Sequence, residues 1–84
     1  MNQKIKDLIK KVPSDPGCYK YFDKKGKLIY IGKAKNLRKR VASYFIGAND
    51  IKTTVLVENI YDIKWETTGS EIEALILESL LIKN

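Results

Sequence analysis

The sequence predicts a small α/β protein, of the α+β type, with three short strands and four helices. Residues 17–22, 28–32 and 61–67 carry the strand pattern, and the last of these alternates apolar and polar side chains. The stretches between them carry helical periodicity. At 84 residues the chain is long enough for one modest core. We therefore expect residues 1–84 to form a single domain.

Local signals define the first helix and the hairpin that follows it. Apolar side chains recur at helical spacing over residues 2–11, and the segment Pro13–Gly17 ends the helix. In the polar turn between the first two strands, Gly26 is free to adopt a positive φ. The two strands are therefore expected to pair as an antiparallel hairpin.

The pairing register of this hairpin decides where its tyrosines lie. If Asp23 pairs with Leu28, Tyr30 shares a face with Tyr19. If Asp23 pairs with Lys27 instead, Tyr30 is separated from Tyr19, because a slip of one residue moves a side chain to the other face. The residues alone leave both registers open.

The helix after the hairpin begins at Asn36, a residue type that caps helix N-termini. At about 100° per residue, Arg38 and Arg40 fall on the two edges of its apolar stripe, and Lys39 points to solvent. An arginine at the edge of the stripe can reach past the core toward a ligand. The stripe itself consists of Leu37, Val41, Tyr44 and Phe45.

The two remaining helices differ in pattern. Asp50 caps a helix of residues 51–59. Its expected buried side consists of Ile51, Val55, Leu56 and Ile60. Ser70 and Glu73 form a capping box for the last helix. That helix is apolar nearly all round over residues 74–82, so we expect most of it to be buried.

Charge and composition restrict the function. The net charge is +6, and most of the Lys and Arg lie in the first 40 residues, which suggests a polyanionic partner. The chain has no histidine, so acid–base chemistry must use Tyr, Lys, Asp or Glu. A single cysteine, Cys18, fits a cytoplasmic protein, as does the lack of a membrane-spanning run or a signal-peptide pattern.

Glu78 interrupts the apolar run of the last helix, where an unpaired charge is costly. It therefore lies on a narrow solvent stripe, pairs with a lysine or arginine, or ligates a metal. One carboxylate with waters suits Mg²⁺. Together with the hairpin tyrosines, Lys33 and Arg40, it suits phosphodiester hydrolysis, in which the metal carries charge, tyrosine handles the water and arginine stabilises the transition state. The cations would lower the pKa of a neighbouring tyrosine.

The triplet Gly17-Cys18-Tyr19, followed by Tyr30-Ile31-Gly32, resembles the paired motif of the GIY-YIG nucleases, with cysteine in place of the usual aliphatic residue. Residues 30–45 and 73–83 are also similar to the N-terminal endonuclease domains of the UvrC family. The resemblance spans residues 12–83. It implies the GIY-YIG fold, a three-stranded antiparallel sheet flanked by helices, and the register that brings the tyrosines of the two triplets together.

The resemblance also implies roles for individual residues. Glu78 would bind one divalent metal ion, Mg²⁺ or Mn²⁺. Arg40 and Lys33 would stabilise the phosphate, and Gly32 would permit close approach of the scissile strand. One tyrosine of the pair would orient or deprotonate the attacking water, and which one acts as the base stays open; the two are Tyr19 and Tyr30. Further candidates are Tyr44, which is equally consistent with a core role, Arg38 and Lys35.

The implied function is that of a DNA endonuclease domain that makes the 3′-side incision in nucleotide excision repair. The implied partners are damaged double-stranded DNA and, through a longer protein, UvrB, with UvrA acting upstream. The domain itself is expected to be a monomer. The alternative is a nucleic-acid-binding module that keeps the fold without cutting, but the complete set of tyrosines, Arg40 and Glu78 favours the nuclease.

The sequence departs from its relatives in two places. Leu80 stands where they usually carry a polar asparagine, which would weaken the positioning of metal or substrate, or reflect local repacking. The sequence ends at Asn84, where relatives continue into further domains. The resemblance therefore implies one endonuclease domain taken from a longer multidomain protein.

Overall fold

The computed structural model describes residues 3–47, 49–69 and 71–83, and the side chains of all of these except residues 71–75 and 83. The three strands form one antiparallel sheet in which the first strand of the chain lies between the other two, which confirms the predicted fold class. None of the described helices has the length and apolar character needed to cross a membrane. The elements are α1 (Gln3–Lys11), β1 (Gly17–Phe22), β2 (Leu28–Ala34), α2 (Leu37–Tyr44), α3 (Ile51–Asn59), β3 (Asp62–Thr67) and α4 (Glu71–Lys83).

Along most of its length, the hairpin has the register that places the tyrosines on the same face. Tyr19 lies opposite Gly32, and Tyr21 lies opposite Tyr30. Side chains that are directly opposite each other in an antiparallel pair point to the same face. Tyr19, Tyr21 and Tyr30 therefore share one face of the sheet.

Next to the turn, the hairpin changes to the other register. Phe22 lies opposite Leu28, and the amide of Asp23 donates to the carbonyl of Lys27 at 2.9 Å. Between these pairs and the tyrosines, Ile29 is the extra residue on β2, so the strand contains a β-bulge. Both registers that the sequence leaves open thus occur, one on each side of the bulge.

The side chains of β1 alternate between two covered faces. Tyr19 and Tyr21 point toward α2, whose apolar stripe packs on them. Cys18 points the other way and is buried near the backbone of Glu78, because α4 packs across β1 and β2 on that side. The buried core consists of Ile5, Val12, Tyr19, Tyr21, Leu37, Val41, Tyr44, Ile60 and Ile63.

Two helices are less buried than their sequences predict. On α3, Ile51 is 85% exposed and Val55 is 53% exposed, because the helix meets the core through Leu56, Val57 and the residue after its end. On α4, three of the apolar side chains are more than half exposed, so the prediction of a mostly buried helix is wrong for them. These are Ile76, Leu80 and Ile82. The capping box predicted for this helix falls on side chains outside the described part of the chain.

Arg38 joins the end of α1 to the start of α2. Its Nε donates to the carbonyl of Val12 at 2.7 Å, and its Nη2 donates to the carbonyl of Lys10 at 2.9 Å. Lys10 lies in the last turn of α1 and Val12 directly follows the helix, where a cation also interacts favourably with the helix dipole.

We expect Arg38→Ala to lower the free energy of unfolding by about 1–2 kcal/mol, because two charged hydrogen bonds at a partly exposed site are lost. Urea unfolding followed by circular dichroism measures this change. The matched control is Lys39→Ala, one residue along the same exposed helix surface, which should stay within about 0.5 kcal/mol of the unsubstituted protein. Equal stability of the two variants would contradict the bridging role of Arg38.

Candidate active site

Four tyrosine rings gather on one face of the sheet, beside the edge strand β2. Tyr19 and Tyr21 come from β1, Tyr30 from β2 and Tyr44 from α2. The ring centroid of Tyr19 lies 6.2 Å from that of Tyr30 and 5.8 Å from that of Tyr44, and the last two are 6.1 Å apart. Such tilted and edge-to-face contacts are the preferred geometry of packed aromatic rings. The hairpin register and the apolar stripe of α2 together build this cluster.

The hydroxyl groups of Tyr19, Tyr30 and Tyr44 form a polar row that ends at Arg40. The hydroxyl oxygens of Tyr19 and Tyr44 are 2.7 Å apart, and Nε of Arg40 donates to the Tyr19 hydroxyl at 3.4 Å. Tyr30 is hydrogen-bonded to Tyr44 as well. The guanidinium carbon of Arg40 lies 5.1 Å from the centroid of the Tyr44 ring, a cation–π distance. Two tyrosines thus position an exposed cation at the surface of the cluster.

Burial keeps these hydroxyls protonated. It is the largest cause that raises the pKa of Tyr19, and it outweighs the lowering by Tyr44 and Arg40. Burial is also the main cause of the raised pKa of Tyr44. The pKa of Tyr30 is raised first by its hydrogen bond with Tyr44 and then by burial. The expectation that a neighbouring cation lowers the tyrosine pKa holds for Arg40, whose hydrogen bond and charge both lower the pKa of Tyr19. Desolvation of the phenolate is the larger effect, so the pKa is raised overall.

Glu78 approaches the cluster from α4. Its side chain is half-buried, and its charge contributes to the raised pKa of both Tyr30 and Cys18. Lys33 lies opposite Cys18 on the neighbouring strand, so it points to the face of the sheet that α4 covers. Within the described residues, Glu78 forms no ion pair with a lysine or arginine.

Glu78 is the candidate protein ligand for a metal ion at this position. Among the residues that the structure describes, no group of three His, Cys, Asp or Glu side chains could hold a metal. A lone carboxylate whose remaining ligands are waters and substrate oxygens is an arrangement that Mg²⁺ accepts. Glu78 is half-buried, and its charge acts on Tyr30, so it fits such a site.

Gly32 provides the space that Tyr19 occupies. A Cβ added to Gly32 would overlap the hydroxyl end of the Tyr19 ring, because the two residues are directly opposite each other in the sheet. The resemblance implied room for a scissile strand at this glycine. In the structure the absence of a Cβ makes room for the Tyr19 ring, so the glycine allows the tyrosine to take its position.

The supporting candidates lie at different places. Tyr44 belongs to both the core and the hydroxyl row, since it is 9% exposed and bonded to Tyr19. Lys35 lines a shallow groove beside Arg40. Arg38 lies away from the cluster, where it binds the end of α1.

Sequence reasoning missed one wall of the site. A cleft of about 470 Å³ lies between β2, α2 and α3. Tyr30, Arg40 and Tyr44 line one side of it, and Lys52 and Thr53 of α3 line the other. The helical pattern of α3 does not indicate that the first turn of this helix faces the tyrosines. The one feature of the sequence that could have pointed to this wall is the lysine of that turn, Lys52.

Comparison with known proteins agrees with this architecture. A family model for UvrC-like GIY-YIG domains matches residues 15–84. The chain is 54% identical over 83 residues to the UvrABC system protein C of Streptococcus pneumoniae, and 53% identical over 83 residues to that of Streptococcus equi subsp. zooepidemicus. Each match covers 99% of this chain but only 14% of the relative, so the chain spans about one seventh of the length of these curated relatives.

Solved structures show the same likeness at the level of the fold. The GIY-YIG N-terminal endonuclease domain of UvrC from Thermotoga maritima, bound to its catalytic magnesium, matches with a TM-score of 0.85 and 38% identity, over 99% of this chain and 91% of that one. Solved variants of that domain include three tyrosine-to-phenylalanine substitutions and one asparagine-to-alanine substitution. On the sequence match and the shared fold, the chain belongs to the family of UvrC-like GIY-YIG domains.

Proposed function

We propose that this chain is a metal-dependent DNA endonuclease domain of the UvrC type, which makes the 3′-side incision in nucleotide excision repair. The observation that carries the proposal is the row of tyrosine hydroxyls joined to Arg40 at an open cleft, with the charge of Glu78 close enough to act on Tyr30. Family membership supports it, as does the catalytic magnesium of the Thermotoga maritima domain.

Glu78 would hold one divalent ion, Mg²⁺ or Mn²⁺. When bound, the ion supplies positive charge that stabilises the phosphate in the transition state and lowers the pKa of a bound water. The carboxylate of Glu78 is half-buried and has no ion-pair partner among the described residues. It is therefore available for this role at little cost to the fold.

Arg40 acts on the phosphate. Nε is held by the Tyr19 hydroxyl and the guanidinium plane is held by the Tyr44 ring, so the charge is oriented before substrate arrives. Oriented donors of this kind stabilise developing charge without reorganising during the reaction. Lys33, on the strand that carries Tyr30, adds a second cation from the side of the sheet that faces α4.

The tyrosines act on the attacking water. Their pKa values are raised, so at neutral pH the hydroxyls of Tyr19 and Tyr30 are protonated and hold a water by hydrogen bonds. Either hydroxyl becomes a base only when a further positive charge stabilises its phenolate. We place both in the site and assign the base to neither.

The remaining proposals concern the longer protein. Residues 1–84 form one endonuclease domain within it, acting on damaged double-stranded DNA. Its contact with UvrB, with UvrA upstream, would come from the rest of that protein; the relatives that support this are components of the UvrABC system. The domain itself is proposed to be monomeric and cytoplasmic.

The test is nicking of a lesion-containing duplex by the longer protein together with UvrA and UvrB. We expect a 3′-side nick in Mg²⁺, none in EDTA, and a fall of about 10²–10³-fold in rate for Arg40→Ala, the usual cost of removing one transition-state donor. The control Lys6→Ala removes an exposed lysine of α1 and should cut at the unsubstituted rate. Binding of the duplex without metal-dependent cutting would overturn the proposal in favour of a non-cutting module.

A further inference from the structure

The cleft between β2, α2 and α3 extends beyond the residues that the proposed chemistry uses. One wall of the cleft carries Tyr30, Arg40 and Tyr44, and the first turn of α3 forms the other wall. In that turn Lys52 is exposed and Thr53 is half-buried. The charged side chains that line the cleft are Arg40 and Lys52. The cleft is therefore cationic on both sides, and its volume of about 470 Å³ leaves room for a segment of a nucleic-acid strand.

The start of α3 is fixed relative to α2. The side-chain amide of Asn49 donates to the carbonyl of Tyr44 at 2.9 Å. Asp50 then caps α3 by accepting from the amide of Thr53 at 2.7 Å, and the Thr53 hydroxyl also bonds to the same carboxylate. These bonds link the first turn of α3 to the end of the helix that carries Arg40.

Most of the polar groups that line the cleft already have a hydrogen-bond partner within the protein. The Thr53 hydroxyl is engaged by Asp50, and the Ser43 hydroxyl donates to the carbonyl of Arg40 at 2.6 Å. The Asn49 amide is engaged as described. The ammonium of Lys52 is the cationic donor that this wall presents to the cleft, with the neighbouring Asp50 carboxylate tied to the helix cap.

A second groove continues the cationic surface on the other side of Arg40. Arg40 and Ser43 line both depressions, and Lys35 and Lys39 line the second one. A strand whose scissile phosphate lies at Arg40 would therefore have a cationic wall next to the phosphates on either side. Phosphate contacts by lysine fix the register of a nucleic-acid strand without reading its sequence.

We propose that Lys52 is a positioning residue that binds a phosphate next to the scissile one and so sets where along the DNA strand the cut falls. The inference rests on the proposed function, because it takes the Arg40 side of the cleft as the place of the scissile phosphate. Lys52 acts as a point charge on its phosphate, and it takes no part in the chemical step.

The first experiment measures binding and requires no cutting. A short fluorescein-labelled duplex is titrated with the protein, with Lys52→Gln and with the control Lys6→Gln, over a series of salt concentrations in Ca²⁺. We expect Lys52→Gln to bind about tenfold more weakly at low salt. The slope of log K against log salt should fall by about 0.9, the value for one lost phosphate contact. Equal affinity and slope for the two variants would overturn the inference.

The second experiment locates the phosphate. Methylphosphonates replace single phosphates on either side of the cut site, and nicking is measured in Mg²⁺ with the longer protein. At one flanking position, neutralisation should slow the unsubstituted protein about tenfold and give no further loss in Lys52→Gln, because both changes remove the same contact. Independent, multiplicative losses at every position would overturn the assignment of Lys52.

The two experiments separate the inference from the function on which it rests. If the protein nicks in a metal-dependent way and Lys52→Gln has no effect in either experiment, the inference about Lys52 is rejected and the proposed nuclease function stands. A loss of salt-dependent binding specific to Lys52→Gln, in a protein that never cuts, supports the phosphate contact and rejects the nuclease.

Discussion

With glutamine in place of Glu78, we expect metal-dependent nicking to fall by about 10³-fold or more while the fold is retained. The change keeps the shape of the side chain and removes its charge, and with it the proposed metal ligand. A bound metal contributes several kcal/mol of charge stabilisation, and each 1.36 kcal/mol is a factor of ten in rate. The fold should survive because Glu78 forms no ion pair among the described residues.

Glu58→Gln is the matched control, since Glu58 is exposed on α3 and the substitution changes net charge by the same amount. It should nick normally. Isothermal titration with Mn²⁺ gives a readout independent of cutting, in which Glu78→Gln should lose the binding isotherm that Glu58→Gln keeps. A Glu78→Gln protein that still nicks the 3′ side at the unsubstituted rate would reject the role of Glu78 as metal ligand.

Gly32→Ala is expected to damage both stability and activity. The added methyl group would occupy the position of the Tyr19 hydroxyl end, and Tyr19 is 1% exposed and enclosed by other rings. Overpacking of this kind costs about 1–3 kcal/mol, so the melting temperature should fall by roughly 10 °C for a domain of this size. The nicking rate of Gly32→Ala should be no higher than that of Arg40→Ala, because displacement of Tyr19 also removes the hydrogen bond that holds Arg40.

The control for this prediction is Gly26→Ala. Gly26 has a φ of 82°, and a Cβ there would meet nothing within 4 Å, so its cost is conformational strain alone. It should lower the melting temperature yet nick normally at temperatures where it is folded. If Gly32→Ala behaves in the same way, with activity lost only through unfolding, then Gly32 has no part in positioning Tyr19 for the reaction.

The parts of the fold that depend on neighbouring residues could be predicted from the sequence. Asn36 and Asp50 cap their helices as expected, each through a hydrogen bond from the amide three residues later. The strand segments follow from alternation, and Gly26 takes its positive φ in the turn. These features depend on contacts within a few residues, and such contacts leave a local pattern.

The rest depends on what packs against each element. Ile51 and Val55 are exposed because little of α3 touches the core. The periodicity of the sequence does not show how much of a helix packs against the core. The pKa direction of Tyr19 required a measure of burial, which the sequence does not contain. Lys52 stayed unnoticed for the same reason: its place opposite Arg40 is a property of helix packing.

The bulge at Ile29 separates the turn of the hairpin from its tyrosines. Between the bulge and the loop, the strands follow one alignment; beyond it they follow the other. A loop that is longer or shorter by one residue can therefore be accommodated by gaining or losing the bulge, while the ring of Tyr30 keeps its orientation. The bulge thus separates the length of the turn from the orientation of the Tyr30 ring.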